Sequence, residues 1–278
     1  MPPTGYFLSE LIPREIETVM EIVVHPDWWK TLFDDLYLKT DARSVCDEDL
    51  SQCESEVIWS LLSPDPGHRI LDLCGGQGRH SFFLHERFSA SCTVLDFSGH
   101  LVRLGRRTAL ERGSTVHFIQ GDARSTGLSG STFDHVIIMG NSLGYLPDSD
   151  DDQRILSESL RLLKPGSQIL VDITDGEKAR KEMIPVAWHE VDEDLVVCRR
   201  RELTDGKVKA RELVFSRRDG LVRDQSYAIR LFSPSQLEDL LRRAGFVDVR
   251  LHRGFCPHDG DGDYGFMNRR VLATAKRP

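Results

Sequence analysis

Short, largely apolar runs recur along the middle of the chain and are separated by stretches with helical spacing. The runs cover 70–73, 92–95, 116–119, 133–139 and 168–173. Continuous apolar runs of this length are typical of strands that are buried on both faces of a parallel sheet. The amphipathic stretches between them predict helices that connect one strand to the next. The pattern therefore predicts an α/β fold.

The pattern changes to alternating apolar and polar positions between 187 and 231. Asp-Gly pairs at 205–206 and 219–220 interrupt this alternation. Alternation is typical of strands with one buried face, and Asp-Gly favours a tight hairpin turn. The region therefore predicts an antiparallel β insert. Two further strands are predicted over 247–255 and 270–276.

The elements group into four predicted segments along the chain. Residues 1–62 predict an N-terminal helical cap, which includes a helix over 15–24. Residues 63–186 hold the first five strands and predict a nucleotide-binding core. Residues 187–231 predict the β lid insert, and residues 232–278 predict a helix and two closing strands of the core. A chain of 278 residues is long enough for one large domain with such an insert.

The segment after the first apolar run is rich in glycine. Gly75, Gly76 and Gly78 follow the strand over 70–73, and a helical stretch comes next. Glycines permit a tight turn close to a ligand, and a helix N-terminus offers free N–H groups. Asp72 stands at the strand end, where its negative charge disfavours a pyrophosphate and favours a cationic ligand. S-Adenosylmethionine (SAM) carries an ammonium and a sulfonium and no phosphate, so it meets this requirement.

The stretch Asp-Leu-Cys-Gly-Gly-Gln-Gly over 72–78 resembles the D-x-G-x-G-x-G signature of class I SAM-dependent methyltransferases, with Cys74 in place of the first glycine. Gly121-Asp122 and Leu163-Lys-Pro-Gly166 also match this family. A weaker likeness links the chain to amino-sugar N,N-dimethyltransferases and to glycine N-methyltransferase. The resemblance implies a Rossmann-like sheet of seven strands in the order 3-2-1-4-5-7-6, with an antiparallel seventh strand. It also implies that SAM is the cofactor. Because the insert follows the fifth strand, whose carboxyl end lies beside the ligand crevice, we expect the insert to cover the active site.

Asp96 lies 18 residues after Gly78, at the end of the second predicted strand. This spacing suits an acid whose two oxygens accept hydrogen bonds from the ribose hydroxyls. Phe97 then lies beside the adenine and can stack on it. The resemblance implies that Asp122 accepts from the adenine amino group and that Tyr37 reaches the methionine end of SAM. The predicted cofactor contacts are Tyr37, Asp72, Cys74, Gly76, Gly78, Asp96, Phe97, Asp122, Ala123 and Asn141.

The fourth strand leads into Gly140-Asn-Ser-Leu-Gly-Tyr145. Ligands of parallel α/β sheets bind at the carboxyl ends of the strands, so Ser142 is expected at the substrate, together with Trp188 of the insert. Tyr145 and His189 are the candidate catalytic residues, because a hydroxyl acceptor usually needs a general base. Arg230 could bind an anionic group of the substrate or brace the insert.

Together with the resemblance, these residues predict a SAM-dependent methyltransferase that acts on a small molecule by N- or O-methylation. A natural product or an amino sugar is the expected acceptor. Two other functions stay open from the residues alone. The chain could bind SAM or S-adenosylhomocysteine (SAH) without turnover. It could instead be an NAD-dependent reductase, although Asp72 and the missing third glycine of the dinucleotide pattern count against this.

Composition and charge limit the partners and the cellular location that we expect for this protein. The net charge of −8 disfavours nucleic acid as a partner, and no run approaches the roughly 20 apolar residues that a membrane span needs. Six cysteines without a CxxC pair are typical of reduced thiols, which predicts a cytoplasmic protein. The acidic loop over 259–263 lacks the glycine and glutamate of an EF-hand, so no metal is predicted. The insert could also carry a homodimer contact.

Overall fold

The computed structural model describes residues 21–257 and 268–278. Within these ranges, the strands are β1 (Arg69–Leu73), β2 (Ser91–Asp96), β3 (His117–Gln120), β4 (Phe133–Ile138), β5 (Leu163–Thr174), β6 (Val186–Glu190), β7 (Leu195–Thr204), β8 (Lys207–Ser216), β9 (Gly220–Arg230), β10 (Val247–Phe255) and β11 (Arg270–Lys276). The helices are α1 (Asp35–Thr40), α2 (Ala42–Val45), α3 (Glu48–Leu62), α4 (Arg79–Phe88), α5 (Gly99–Arg112), α6 (Asp150–Leu162), α7 (Gly176–Glu182) and α8 (Pro234–Arg243), preceded by a 3-10 helix over Trp28–Lys30.

The larger sheet has seven strands in the order β10-β11-β5-β4-β1-β2-β3. β1 is parallel to both β4 and β2, whereas β11 is antiparallel to both β5 and β10. β10 and β11 are the sixth and seventh strands of this sheet in chain order. The predicted order and the antiparallel seventh strand are therefore confirmed. The central strands β1 and β4 are largely buried, as their continuous apolar runs require.

Apolar residues of the larger sheet form two cores, one on each face. One core packs the sheet against α6 and α8, and Leu156 and Leu237 are fully buried in it. The other packs the sheet against α3, α4 and α5, with Ile58 and Leu84 fully buried. Helices that cover both faces of the sheet leave its strand ends for ligand binding.

The smaller sheet, which we call the insert sheet, is an antiparallel meander in the order β6-β7-β8-β9. Asp205 and Gly206 have positive φ angles of 52° and 74° and form the turn between β7 and β8. Asp-Gly favours this conformation in hairpins, and the predicted antiparallel insert is confirmed. The buried positions of β7 are apolar at its start but include Arg199 and Arg201 further along.

The N-terminal segment differs in part from its predicted form. Residues 1–20 lie outside the described residues, and residues 21–25 are not helical, so the end of the helix predicted over 15–24 is not formed. Asp34 begins α1 instead, because its side chain accepts hydrogen bonds from two backbone N–H groups of the first turn. The acidic loop over 259–263 also lies outside the described residues. The boundaries of the four predicted segments stay a prediction.

Two ion pairs connect the N-terminal helices to the insert sheet. Asp34 pairs with Arg223 of β9 at 2.5 Å, and Asp41, which follows α1, pairs with Arg199 of β7 at 2.8 Å. Both arginines are buried, so these contacts are partly shielded from water. These two pairs fasten β7 and β9 of the insert sheet to the residues that flank α1.

Candidate active site

The glycine loop between β1 and α4 has a backbone that needs small residues. A Cβ atom at Gly75 would lie 2.4 Å from Cγ of Asp72, and one at Gly78 would lie 2.6 Å from the ring of Phe118. Gly76 and Gly78 also have positive φ angles of 57° and 81°. Cys74 has a φ of 64°, a conformation in which a side chain is strained and glycine is favoured. Cys74 thus adopts the left-handed conformation that the family glycine would favour, so the loop keeps this conformation despite the substitution.

Asp72 lies at the end of β1 and is fully buried. Ser81 donates a hydrogen bond to its Oδ2 at 2.8 Å, whereas its Oδ1 has no partner among the described residues. Burial raises the pKa of Asp72 above its ordinary value. The residue lines the cavity that opens at the glycine loop. A buried acceptor without a partner at this point fits the ammonium group of SAM.

Asp96 at the end of β2 lines the same cavity. Its Oδ2 accepts from the N–H of Gly76 at 2.9 Å, and its Oδ1 accepts from the N–H of Ser98 at 2.7 Å. Burial raises the pKa of Asp96 to about 6. Each carboxylate oxygen can accept a further hydrogen bond, so this side chain fits the two hydroxyls of a ribose.

The far end of this cavity is aromatic. The rings of Phe97 and Trp29 lie 4.5 Å apart, and the guanidinium of Arg124 lies 5.6 Å from the ring of Trp29. Asp122 pairs with Arg124 at 2.6 Å, and this hydrogen bond holds the pKa of Asp122 below its ordinary value. Ala123 lines the same part of the cavity, and the aromatic rings beside it suit an adenine ring.

A second cavity adjoins the first on the side of the insert sheet. The two cavities share a wall made of Phe33, Tyr37, Val45, Arg79, Gly140 and Tyr145. The insert sheet contributes Arg199, Arg201, Glu212, Tyr227 and Ile229 to the second cavity. The first cavity has the glycine loop and the second does not. The arrangement therefore suits a cofactor and an acceptor that meet at the shared wall.

Three tyrosines line the second cavity, and burial raises the pKa of each hydroxyl. For Tyr227 the pKa is raised to about 12. The ring of Trp28 lies 5.6 Å from that of Tyr145 and 5.7 Å from that of Tyr227, which packs the two tyrosines against the N-terminal segment. Tyr145 and Tyr227 are therefore neutral hydrogen-bonding groups at neutral pH.

A buried ionic network lies beneath both cavities. Glu54 of α3 pairs with Arg79 at 2.5 Å and with His80 at 2.8 Å. Burial opposes the charge of Glu54, but Arg79 and His80 hold its pKa well below the ordinary value. Arg270 of β11 pairs with Asp172 of β5. Because Arg79 reaches both cavities, this network fixes a cation at the shared wall.

Most predicted cofactor residues meet in one cavity. Its lining includes Tyr37, Asp72, Cys74, Gly76, Asp96, Phe97, Asp122, Ala123, Ser142 and Tyr145. Gly78 lies below the loop against Phe118. Asn141 braces the loop after β4, because its Oδ1 accepts from the N–H of Thr174 at 2.7 Å. Sequence reasoning missed Trp29, Arg79 and Glu54.

The structure does not bring Trp188 and His189 to either cavity, contrary to their predicted roles. Both lie on β6, the outer strand of the insert sheet, and Trp188 is 67% exposed. The cavity-facing residues come from β7, β8 and β9 instead. The homodimer contact predicted for the insert stays a prediction.

Arg230 braces the insert and does not line a cavity where it could bind an anionic group of the substrate. Its Nε and Nη2 donate to Oδ2 of Asp152 at 2.9 and 2.7 Å, and Arg230 does not line either cavity. Its backbone N–H donates to the carbonyl oxygen of Gly144 at 2.9 Å. Arg230 thus braces the insert sheet against the loop that carries Ser142 and Tyr145.

The described residues contain neither a candidate metal site nor a candidate membrane-spanning helix. Among the described residues, no group of three or more His, Cys, Asp or Glu side chains is placed to hold a metal ion. Within the same ranges, no helix is long and apolar enough to cross a membrane.

The chain is similar to known methyltransferases in sequence. Residues 70–166 match a family model described as a methyltransferase domain. Two relatives are ubiquinone/menaquinone biosynthesis C-methyltransferases. The one from Ruegeria sp. is 34% identical over 119 residues, which are 42% of this chain and 46% of the relative. The one from Brucella abortus is 31% identical over 122 residues, which are 42% of this chain and 44% of the relative. The chain therefore matches less than half the length of these relatives.

Solved structures share the fold over most of the chain. A SAM-dependent methyltransferase from Clostridium acetobutylicum has a TM-score of 0.69 at 16% identity, covering 87% of this chain and 96% of that chain. The CcbJ methyltransferase from Streptomyces caelestis has a TM-score of 0.67 at 18% identity, covering 83% and 90%. The sugar N-methyltransferase KedS8 from Streptoalloteichus sp. has a TM-score of 0.62 at 20% identity, covering 87% and 92%.

These matches confirm the resemblance that the glycine loop carries. Residues 70–166 match a methyltransferase domain, and solved methyltransferases share the fold over most of the chain. The enzyme class and SAM as its cofactor stay predictions, which the match over residues 70–166 supports. Asp72, Asp96 and the glycine loop are the residues that fit this cofactor.

Proposed function

We propose that this protein transfers the methyl group of SAM to a nitrogen atom of a small, polar molecule. The observation that carries the proposal is the wall shared by the two cavities, with Tyr37, Arg79 and Tyr145 facing both. SAM bound along the glycine loop would place its methionine end near this wall. An acceptor in the second cavity would then meet the methyl group there, and positioning alone supplies much of the rate of such a displacement.

The choice of nitrogen rests on the absence of a free base among the described residues of the second cavity. Its carboxylates, Asp41, Glu54 and Glu212, are each paired with an arginine. Burial raises the pKa values of the Tyr145 and Tyr227 hydroxyls, so both stay protonated at neutral pH and cannot act as bases. A hydroxyl acceptor would need a base, whereas a neutral amine attacks with its own lone pair.

The proposed step balances without a further reactant. The amine lone pair forms a bond to the methyl carbon, and the bond between that carbon and sulfur breaks, with its electrons leaving on the sulfide of SAH. The methylated nitrogen then loses a proton to water. The protein's part is to hold the amine in line, to exclude other water through the insert sheet and to orient the acceptor through Tyr145 and Tyr227.

An amino sugar is our candidate acceptor. Tyrosine hydroxyls together with Thr40 and Ser44 line the second cavity and suit a molecule with several hydroxyl groups. Two similar structures are described as a sugar N-methyltransferase and an amino pentose methyltransferase, each at 20% identity. The substrates in these descriptions are those of the two similar proteins. For this chain, the polar lining of the second cavity supports an amino sugar as the acceptor.

The experiment uses the full chain with SAM and pairs of acceptors that differ only in an amine or a hydroxyl at one position. SAH formation and the site of methylation are measured by mass spectrometry. We expect the amine member of a pair to be methylated and its hydroxyl partner to be inert. Methylation on oxygen or carbon would contradict the proposed nitrogen acceptor. Binding of SAM without SAH formation for any acceptor would favour a SAM-binding protein without turnover.

A further inference from the structure

Resting on the proposed function, we infer that Arg79 binds the carboxylate at the methionine end of SAM, beside the ammonium that Asp72 receives. Arg79 is the first residue of α4 and lines the first cavity together with Asp72 and Tyr37. Its side chain is 14% exposed, so a ligand in the cavity can contact it. Arg79 is then a cofactor-binding residue as well as a member of the buried network.

The methionine end of SAM carries two opposite charges. Its ammonium and its carboxylate are attached to the same carbon atom, so the site needs one anionic and one cationic group close together and no excess of either charge. Asp72 supplies the anionic group through its unpartnered Oδ1. Burial raises the pKa of Asp72, and the positive charges of His80 and Arg79 oppose this rise. Arg79 and Asp72 therefore lie within electrostatic reach of each other.

The charges of the first cavity leave one place for a carboxylate. Asp72, Asp96 and Asp122 line the cavity, and among the described residues of this lining Arg79 is the one arginine or lysine. A carboxylate of the ligand is repelled by the three acids unless a cation lies next to it. A charge that leaves water also needs a partner. Arg79 is the residue that can meet both requirements.

The guanidinium of Arg79 is held on one side only. Its Nη1 donates to Oγ of Ser51 at 3.2 Å and lies 2.5 Å from Oε2 of Glu54. Its Nε and Nη2 have no hydrogen-bond partner in the part of the chain that the structure describes. The planar fork of a guanidinium matches the two oxygens of a carboxylate. The pair with Glu54 fixes the position of the fork, which reduces the entropy lost when the ligand binds.

Tyr37 supplies a second donor for the same carboxylate. It lines both cavities beside Arg79, and Asp34 holds it at the start of α1 by accepting from its backbone N–H at 3.0 Å. Burial raises the pKa of the Tyr37 hydroxyl well above its ordinary value, so the hydroxyl stays protonated and can donate. Arg79 and Tyr37 together would hold the methionine end of the cofactor at the shared wall.

The test is calorimetry on the full chain with SAH and with decarboxylated SAH, which keeps the ammonium but lacks the carboxylate. The variants are Arg79→Gln and Arg87→Gln. Arg87 is the matched control, because it lies exposed in the last turn of the same helix and lines neither cavity. A double variant, Glu54→Gln with Arg79→Gln, removes both charges of the buried pair and serves if the single variant does not fold.

We expect the wild type to bind SAH about tenfold or more tightly than decarboxylated SAH, because the latter loses charge-assisted hydrogen bonds. Arg79→Gln, alone or in the double variant, should weaken SAH binding by a similar factor and leave the affinity for decarboxylated SAH nearly unchanged. Arg87→Gln should change neither affinity. This dependence on the carboxylate separates a direct contact from a purely structural role, which would weaken both ligands equally.

Three results would overturn the inference. The wild type could bind both nucleosides equally well, or the loss of Arg79 could weaken both to the same extent. The variants that lack Arg79 could also keep the full preference for SAH, in which case the backbone N–H groups at the start of α4 bind the carboxylate. Failure of both nucleosides to bind the wild type would instead contradict the proposed function.

Discussion

Arg230 and Asp152 form a largely buried ion pair that joins the last strand of the insert sheet to the helix after β4. Two nitrogens of Arg230 donate to Oδ2 of Asp152 at 2.9 and 2.7 Å, while Oδ1 accepts from the N–H of Gly144 at 2.8 Å. The Asp152 side chain is 2% exposed and that of Arg230 is 11% exposed. A Cβ atom at Gly144 would lie 2.7 Å from the carbonyl oxygen of Arg230, so the loop after β4 and the end of β9 pack closely at this point.

Removing one partner of this pair should destabilise the protein strongly. We expect Arg230→Met to lower the free energy of unfolding by about 3–5 kcal/mol, because Asp152 would remain as a buried charge without its partner. Denaturant unfolding measures this change. Arg211→Met is the matched control, since Arg211 pairs with Asp224 on the same sheet with both side chains about 40% exposed, and should cost less than about 1 kcal/mol. Equal losses for the two variants would contradict the structural role of Arg230.

SAH affinity should depend on pH through Asp96. Burial raises the pKa of Asp96 to about 6, and the ribose hydroxyls need its carboxylate form as acceptor. Affinity should therefore weaken as the pH falls below about 6, approaching about tenfold per pH unit for a single proton. Calorimetric titrations from pH 5 to pH 8 (roughly the range around that pKa) measure this dependence.

The Asp96 variants separate this effect from other titrations. We expect Asp96→Ala to bind SAH about tenfold or more weakly, because it loses charge-assisted hydrogen bonds. Asp96→Asn should bind weakly but without the acid limb of the pH profile. An unchanged limb in Asp96→Asn would assign the titration to another group.

Tyr145 and His189 give a direct comparison on the acceptor side. Tyr145→Phe should lower kcat/KM for methyl transfer by about tenfold and leave SAH affinity nearly unchanged, because the hydroxyl orients the acceptor at the shared wall. His189→Ala should leave both parameters near the wild-type values, since β6 lies away from both cavities. Initial rates and calorimetry on the same preparations test both variants. Loss of turnover in His189→Ala with normal SAH binding would restore its predicted catalytic role.

A histidine pair at the opposite end of the sheet should make stability depend on pH. Nδ1 of His68 lies 3.1 Å from Nε2 of His135, and burial, with the nearby His68, lowers the pKa of His135 to about 4. The unfolded chain binds more protons than the folded one between this value and the ordinary histidine pKa of about 6.5. Stability should therefore rise with pH across this window and fall on acidification, by up to about 3 kcal/mol.

His135→Gln should remove much of this dependence. The free energy of unfolding, measured with denaturant between pH 4 and pH 6.5 (roughly the window above), should change less with pH in the variant than in the wild type. His117→Gln, at an exposed position of β3, is the control and should keep the wild-type slope. Parallel slopes in wild type and His135→Gln would show that other groups dominate the acid response.

The parts of the site that sequence could predict depend on local signals. Asp72, Gly76 and Asp96 follow directly from short apolar strands, because strand ends and the loops after them lie on one edge of a parallel sheet. The sequence indicates a special role for Glu54 only weakly. It occupies a helical position between the buried residues Leu50 and Ile58, where an apolar side chain would be expected.

The parts that sequence could not predict depend on long-range packing. Alternation in the insert shows which residues share a face but not which face meets the cavity or which strand lies at the edge. His189 was therefore chosen on β6, whereas Arg199 and Arg201 of β7 line the cavity. Trp29 reaches Phe97 only because the N-terminal segment folds over the cofactor cavity, a contact between residues 68 positions apart that no spacing rule indicates.

Calorimetry of the full chain with SAM, SAH and NADH tests the central claim most directly. Wild-type protein should bind SAM and SAH, and Asp96→Ala should bind both about tenfold or more weakly. NADH should give no heat of binding, because its pyrophosphate would meet the carboxylate of Asp72 beside the glycine loop. Binding of NADH in preference to SAM, or equal SAM affinity in wild type and Asp96→Ala, would contradict the cofactor site described for this protein.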